Sequence, residues 1–227
     1  MASESKSFIS AVPLGEASPR IQLRERTALI EIGLVYGLIL VAVWTPQGRL
    51  NRYVCLAAAL ATVGLSLRGC YSPSELGLNR PLSGAVVTLA AGVLLVGVIA
   101  SLGLLLKSLG PPQPLPWLRA WQYGVWSLLQ QFILESFMYV RLESLYGSRR
   151  AVLVAAFLFA VAHIPSPVLT MLSFLGALFF CEMFRRYRNI YALGVVHAAL
   201  GLTIAASLPD SLMHHMRVGL GFLTYHP

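Results

Sequence analysis

The chain has 227 residues, a mean hydropathy of +0.72, 57% hydrophobic residues and only 11% charged ones. Soluble domains carry about 25% charged residues, so this composition excludes a soluble globular protein and calls for a lipid bilayer as solvent. The net charge of +8 does not point to nucleic acid, because Lys and Arg in a membrane protein gather in short cytoplasmic loops.

The first 27 residues are polar and hold Lys6, Arg20, Arg24 and Arg26. The first apolar run starts late and is long, the pattern of a retained anchor rather than a cleaved signal. Neither end carries a myristoyl or prenyl acceptor pattern. Apolar runs predict spans at 28–44, 54–67, 83–106, 121–146, 150–163, 168–184 and 191–207. A crossing helix needs roughly 20 residues, so 54–67 and 150–163 either extend into their flanks or cross incompletely. The closing stretch "VGLGFLTYHP" reads as an interfacial segment. The expected fold is all-α, a polytopic membrane bundle of about seven transmembrane helices.

Two breaks organise the chain. "RGCYSPSELGLNRPLSG" (Arg68 to Gly84) is rich in loop-forming Ser, Pro, Gly and Asn. "LGPPQPLPW" (Leu109 to Trp117) is dense in proline, which lacks an amide donor and stops helices. The expected layout is a polar cytoplasmic segment (1–27), three spans with their loops (28–120), a four-helix core (121–207) and a tail (208–227). With alternating spans, Lys6, Arg20, Arg24, Arg26, Arg68, Arg80, Arg149, Arg150, Arg185, Arg186 and Arg188 share one side. They outnumber Arg49, Arg52, Lys107, Arg119 and Arg217 on the other. The positive-inside rule then puts the N-terminus in the cytoplasm and the protein in the cell membrane. Cys55, Cys70 and Cys181 show no metal-like spacing and read as small apolar residues.

Ionisable groups inside a membrane cost about 2.5–3.5 kcal/mol at a helix centre and usually mark function. Some have structural explanations. Glu31 lies close to Arg24 and Arg26, an interfacial ion pair. Arg141 and Glu143 sit near a helix end and can snorkel to headgroups. Glu182 precedes Arg185 and Arg186 by the spacing of a helical ion pair. Gln130, Gln131, Glu135, His163 and His197 are left as site candidates. Gln131 and Glu135 are four apart and share a helix face, and His197 lies in "GVVHAALGL", whose small residues allow close packing. At 1.5 Å per residue, Glu135 is about 21 Å along its span and His197 about 9 Å along one running the other way. Gln130 and His163 stand at about 14 and 20 Å. These depths roughly meet in a core about 30 Å thick.

The C-terminal half resembles the CAAX-protease and bacteriocin-processing (CPBP) family of intramembrane glutamic proteases. That family has Glu-Glu-x-x-x-Arg, Phe-x-x-x-His and His-x-x-x-Asn (or a small residue) on successive core helices. "FAVAH" (Phe159 to His163) matches the second motif. A helix with central Gly176 and a basic loop lead to the third-motif histidine, His197, and that motif ends at Gly201. "ELGL" (Glu75 to Leu78) resembles a feature that precedes the core. The first motif departs: Gln130 and Gln131 stand at the two glutamates and Glu135 at the arginine. The resemblance implies an endopeptidase acting by carboxylate-activated water on a membrane-associated or lipidated protein. His163, His197, Gln130, Gln131 and Glu135 would form its site. No cofactor, metal or nucleic acid is expected. An amide cannot take up a proton, so either Glu135 replaces the missing base or the chain is a catalytically silent member that binds or protects a membrane partner. Metal or haem ligation by the two histidines and a transporter are weaker alternatives.

Overall fold

The computed structural model describes residues 19–69, 71–106 and 117–225. Residues 1–18 of the N-terminal segment, Cys70, and the stretch 107–116 with Lys107 and most of the Pro-rich break lie outside the described residues. All regular structure among the described residues is helical, as expected. In lipid every backbone polar group must find its partner within the segment, which helices achieve.

The long elements are α1 (Pro19–Trp44), α2 (Arg49–Arg68), α3 (Ala85–Leu105), α4 (Trp117–Gln131), α5 (Val140–Tyr146), α6 (Ser148–Val161), α7 (Pro167–Tyr187) and α8 (Ile190–Ser207). Two short helices, α9 (Asp210–Met213) and α10 (Gly219–Leu223), finish the described chain. Between α4 and α5 runs a π-helix, Phe132–Tyr139. Backbone angles at both junctions stay helical, so α4, the π segment and α5 make one continuous rod.

Among the described residues, five helices are long and apolar enough to cross a membrane: α1 from Arg26, α2, α3, α7 and α8. The short run 54–67 is extended at both ends, to 20 residues. α6 has 14 residues, about 21 Å at 1.5 Å each, less than the roughly 30 Å hydrocarbon core. Leu67, Val86 and Leu105 are 81%, 82% and 80% exposed, which suits a surface facing lipid rather than water.

α8 is the central post. It packs against α3 on one side and α4 on the other. Close approach to α3 depends on glycine. A Cβ at Gly92 would stand 2.5 Å from Val196 Cγ2, and one at Gly103 would stand 2.7 Å from Ser207 Cβ. α6 pairs with α7, and α1 with α2. The apolar core centres on Leu134, Tyr139, Ala155, Cys181, Phe184 and Leu193.

Helix alternation collects the ends of α2 and α7 and the starts of α3, α6 and α8 at one end of the bundle. The α1–α2 turn, the α6–α7 turn and α9–α10 lie at the other. Arg68, Arg80, Arg149, Arg150, Arg185 and Arg186 belong to the first, basic end. There the Arg68–Gly84 loop folds back onto the core. Asn189 caps α8 by accepting from the Tyr191 and Ala192 amides, and donates to the Pro81 and Ser83 carbonyls at 2.7 and 3.0 Å. Ser136 donates to the Leu76 carbonyl at 2.7 Å, and Leu76 itself is buried. The "ELGL" stretch thus plugs the basic end.

Three expectations about charges need correction. Glu31 pairs with Arg141 of the rod, at 2.7 Å, a partner on another helix. Arg141 does not snorkel. It is fully buried, donates to the Leu65 and Phe137 carbonyls, and lies 3.8 Å from the Phe137 ring centre. A guanidinium held away from water requires a carboxylate, carbonyls and an aromatic face, and Glu31 is the carboxylate that α1 brings against it. Glu143 also turns inward, accepting from the Tyr139 hydroxyl at 3.0 Å and pairing with Arg188. The Glu182 pairs with Arg185 and Arg186 are as expected, at 2.7 and 2.6 Å.

Candidate active site

His163 stands just past the C-terminal end of α6, where the chain turns through a cis Ile164–Pro165 bond into α7. Its Nδ1–H donates to the Phe159 carbonyl at 2.7 Å, four residues back, and the Phe159 ring lies 4.8 Å away. The motif spacing therefore has a physical use: the carbonyl fixes the tautomer, leaving Nε2 as an acceptor.

His197 lies inside α8. Gln131 Nε2 donates to its Nδ1 at 2.9 Å, so the ring proton sits on Nε2. Phe180 stacks on the ring at 5.2 Å and Phe159 meets it edge-on at 6.1 Å. The two imidazoles offer opposite polarity, an acceptor on His163 and a donor on His197.

Gln130, His163 and His197 line one inner cavity of 210 Å³, together with Tyr123, Ser173 and Gly201. An adjoining apolar groove of 730 Å³ shares Trp126, Gln130, Phe159, His163, Met216 and Val218 with it. The groove's walls come from α1, α2, the rod and the C-terminal segment. They include Thr45, Pro46 and Gln47 of the α1–α2 turn, which puts the groove at the end opposite the basic loops. The C-terminal segment is anchored there. The Gly219 amide donates to the Ile164 carbonyl at 2.9 Å, and α10 packs on α1. Asp210 accepts from Tyr225 and from the His215 amide; the Tyr225 hydroxyl first, then that amide, hold its carboxyl below the usual range. The closing stretch also contributes to the groove wall, through Val218, Leu220, Gly221 and Thr224.

Glu135 is placed differently. It is fully buried in the π segment and lines neither cavity. Neither carboxylate oxygen makes a hydrogen bond of normal geometry, and its polar neighbour is the weak donor Cys181 of α7. The Oε1 of Gln131 is also buried and unpartnered. Every other carboxylate with a described side chain has hydrogen-bond partners: Glu31, Glu75, Glu143, Glu182 and Asp210.

The structure thus brings Gln130, His163 and His197 together, with Gln131 one hydrogen bond behind, and sets Glu135 one turn further toward the basic end. No group of three or more His, Cys, Asp or Glu residues among those described has the arrangement of a metal site. Sequence reasoning missed Tyr123, Phe180 and Cys181. Phe180 and Cys181 read as plain core residues; Tyr123 had one available signal, its place two turns before Gln130.

Residues 112–203 match the protein family described as type II CAAX prenyl endopeptidase Rce1-like. This segment is a CPBP-family core. The match contains the rod, both histidines and Gly201, and it stops four residues before the end of α8. The CPBP core belongs to a family of CAAX-type membrane proteases, and the chain is an integral membrane protein. Among curated proteins none matches this chain.

Proposed function

We propose that the protein is an intramembrane endopeptidase of the CAAX-protease type. A membrane-anchored or lipidated protein lays its apolar part in the 730 Å³ groove and presents a peptide bond to the inner cavity. The observation that carries this reading is the convergence of Gln130, His163 and His197 on one cavity that merges with that groove. The groove's volume lies within the roughly 300–1,000 Å³ of small-molecule and cofactor sites.

In this mechanism His163 Nε2 accepts from a water and His197 Nε2–H donates to the scissile carbonyl oxygen as negative charge develops there. Such a donor is worth most on the developing oxyanion. Glu135 supplies the proton acceptor. A buried water needs two to four polar partners. The unpaired oxygens of Gln131 and Glu135 offer them between the carboxyl group and the cavity wall. Gln130 orients the substrate, since an amide both donates and accepts.

One observation favours a second reading. The cavity wall carries the Gln130 amide, and Glu135 does not line it. In this reading the chain is a silent family member that binds or shields a lipidated partner in the same groove. Cleavage of a lipidated peptide library in proteoliposomes separates the two. The protease reading expects wild-type cleavage that Glu135→Gln abolishes; binding without cleavage by wild type selects the silent one.

We assign the protein to the cell membrane with the basic end in the cytoplasm, following the charge bias. The groove, at the opposite end, then receives substrate from the non-cytoplasmic side or from that leaflet.

A further inference from the structure

Gly201 sits one turn after His197 on α8, and its place is explained by a residue on another helix. A Cβ built there would fall on the Tyr123 hydroxyl, with the ring's Cζ at 2.7 Å and Cε1 at 2.9 Å. Any side chain at 201 would therefore expel the phenol. Tyr123 lines the inner cavity with Gln130, His163 and His197. The buried Ser127 hydroxyl lies four residues on and makes no hydrogen bond of good geometry, with Tyr123 or any other group. The phenol proton can therefore turn toward the cavity that Tyr123 lines.

We infer that the Tyr123 hydroxyl is a second oxyanion donor, acting with His197 Nε2–H on the carbonyl oxygen of the scissile bond. This rests on the protease reading above. The glycine is what lets the hydroxyl reach the turn of α8 that follows His197. The two donors come from different helices, α4 and α8, and line the same cavity, which His163 lines from the end of α6.

The test uses full-length protein in detergent micelles or proteoliposomes and two probes. One is a lipidated peptide substrate; the other is the same peptide with a phosphonate, a stable tetrahedral oxyanion, at the scissile bond. Tyr123→Phe keeps the ring against Gly201 and removes only the hydroxyl. The expected result is a fall in kcat of about 10²–10³-fold with KM unchanged, and a comparable loss of phosphonate affinity with substrate affinity retained. Wild-type cleavage with an unchanged kcat in Tyr123→Phe overturns the inference and leaves the protease reading standing. If wild type does not cleave, the protease reading fails, and the phosphonate decides alone: equal affinity for wild type and Tyr123→Phe overturns the donor role. Should Tyr123→Phe not fold, Tyr123→Ala combined with Gly201→Asn offers an amide in the vacated space. It is expected to bind the phosphonate more tightly than Tyr123→Ala alone, and equal affinity overturns the inference.

Discussion

Glu135→Gln separates catalysis from architecture because of how this carboxyl group is held. Its oxygens have only the weak donor Cys181 beside them, so the amide strands no strong donor. Its own two N–H groups set the stability cost at no more than about 1–3 kcal/mol, which the melting temperature reads. If Glu135 is the base, hydrolysis should fall about 10²–10⁴-fold, which is about 2.7–5.4 kcal/mol of barrier at 1.36 kcal/mol per decade. Glu143→Gln should do the reverse. It breaks the pair with Arg188, whose guanidinium lies against Tyr139 and Phe184 in a half-buried site. A loss of about 1–3 kcal/mol in stability is expected, with cleavage largely kept in the folded fraction. The assay is release of a fluorogenic product from a lipidated peptide in proteoliposomes, with tryptophan-fluorescence melting of the same samples. Equal cleavage by wild type and Glu135→Gln would refute the argument for Glu135. A fall in activity matched by a fall in melting temperature would reduce the effect to folding.

Cysteine labelling at positions 47 and 149 should place Gln47 outside and Arg149 in the cytoplasm; the opposite pattern would turn the groove toward the cytoplasm and make its substrate a cytoplasmic lipidated protein. Gly92→Leu should cost about 1–3 kcal/mol by overpacking, read as a lower melting temperature, because Val196 already occupies the space a side chain needs; an unchanged melting temperature would show that α3 is free to move off α8. Arg141→Met should lose about 3–5 kcal/mol, and adding Glu31→Gln should recover part of it, since one half of a buried pair is worse than neither; strict additivity in the melting data would deny the pair. Gln131→Glu should move the His197 ring proton from Nε2 to Nδ1, visible as exchanged ¹⁵N shifts of the imidazole, because a carboxylate accepts where the amide donates; unchanged shifts would contradict the tautomer assigned here.

Much of the fold was legible from hydropathy alone, because lipid tolerates only self-satisfied backbone and apolar runs therefore become helices. The ion pairs were legible only where they are local. Glu182 with Arg185 and Arg186 follows from spacing within one helix, but Glu31 with Arg141 joins residues far apart in the chain, and no periodicity announces it. His163 and His197 were found through motif spacing, and the hydrogen bond to Phe159 and the packing glycines explain why that spacing matters. The π segment was not legible. Eight residues, Phe132–Tyr139, carry bonds that run one residue further than in an α-helix, as from the Val140 amide to the Glu135 carbonyl. The rule that residues four apart share a face presupposes α geometry. Across the wider turn Gln131 reaches α8 while Glu135 meets the thiol of α7.

That divergence bears on what the glutamine pair does. A carboxylate at 131 would accept a hydrogen bond from His197 Nδ1–H and leave the outer nitrogen with its lone pair. The Gln131 amide instead donates to Nδ1, which makes the outer nitrogen a donor. His163, tied through Nδ1–H to the Phe159 carbonyl, presents the opposite face. The cavity therefore holds one accepting and one donating imidazole with an amide, Gln130, between the inner cavity and the groove. This set can grip a peptide unit, which has one donor and one acceptor of its own, whether or not a base is available. In the proposed mechanism the grip on the peptide and water falls to Gln130, His163 and His197, whose tautomer Gln131 sets, and proton acceptance falls to Glu135. The chemistry depends on whether the unpaired carboxyl of Glu135, one turn deeper and toward the basic end, shares a water with them. π-helical turns recur at functional sites, and here the turn is what directs that carboxyl away from the wall its neighbours form.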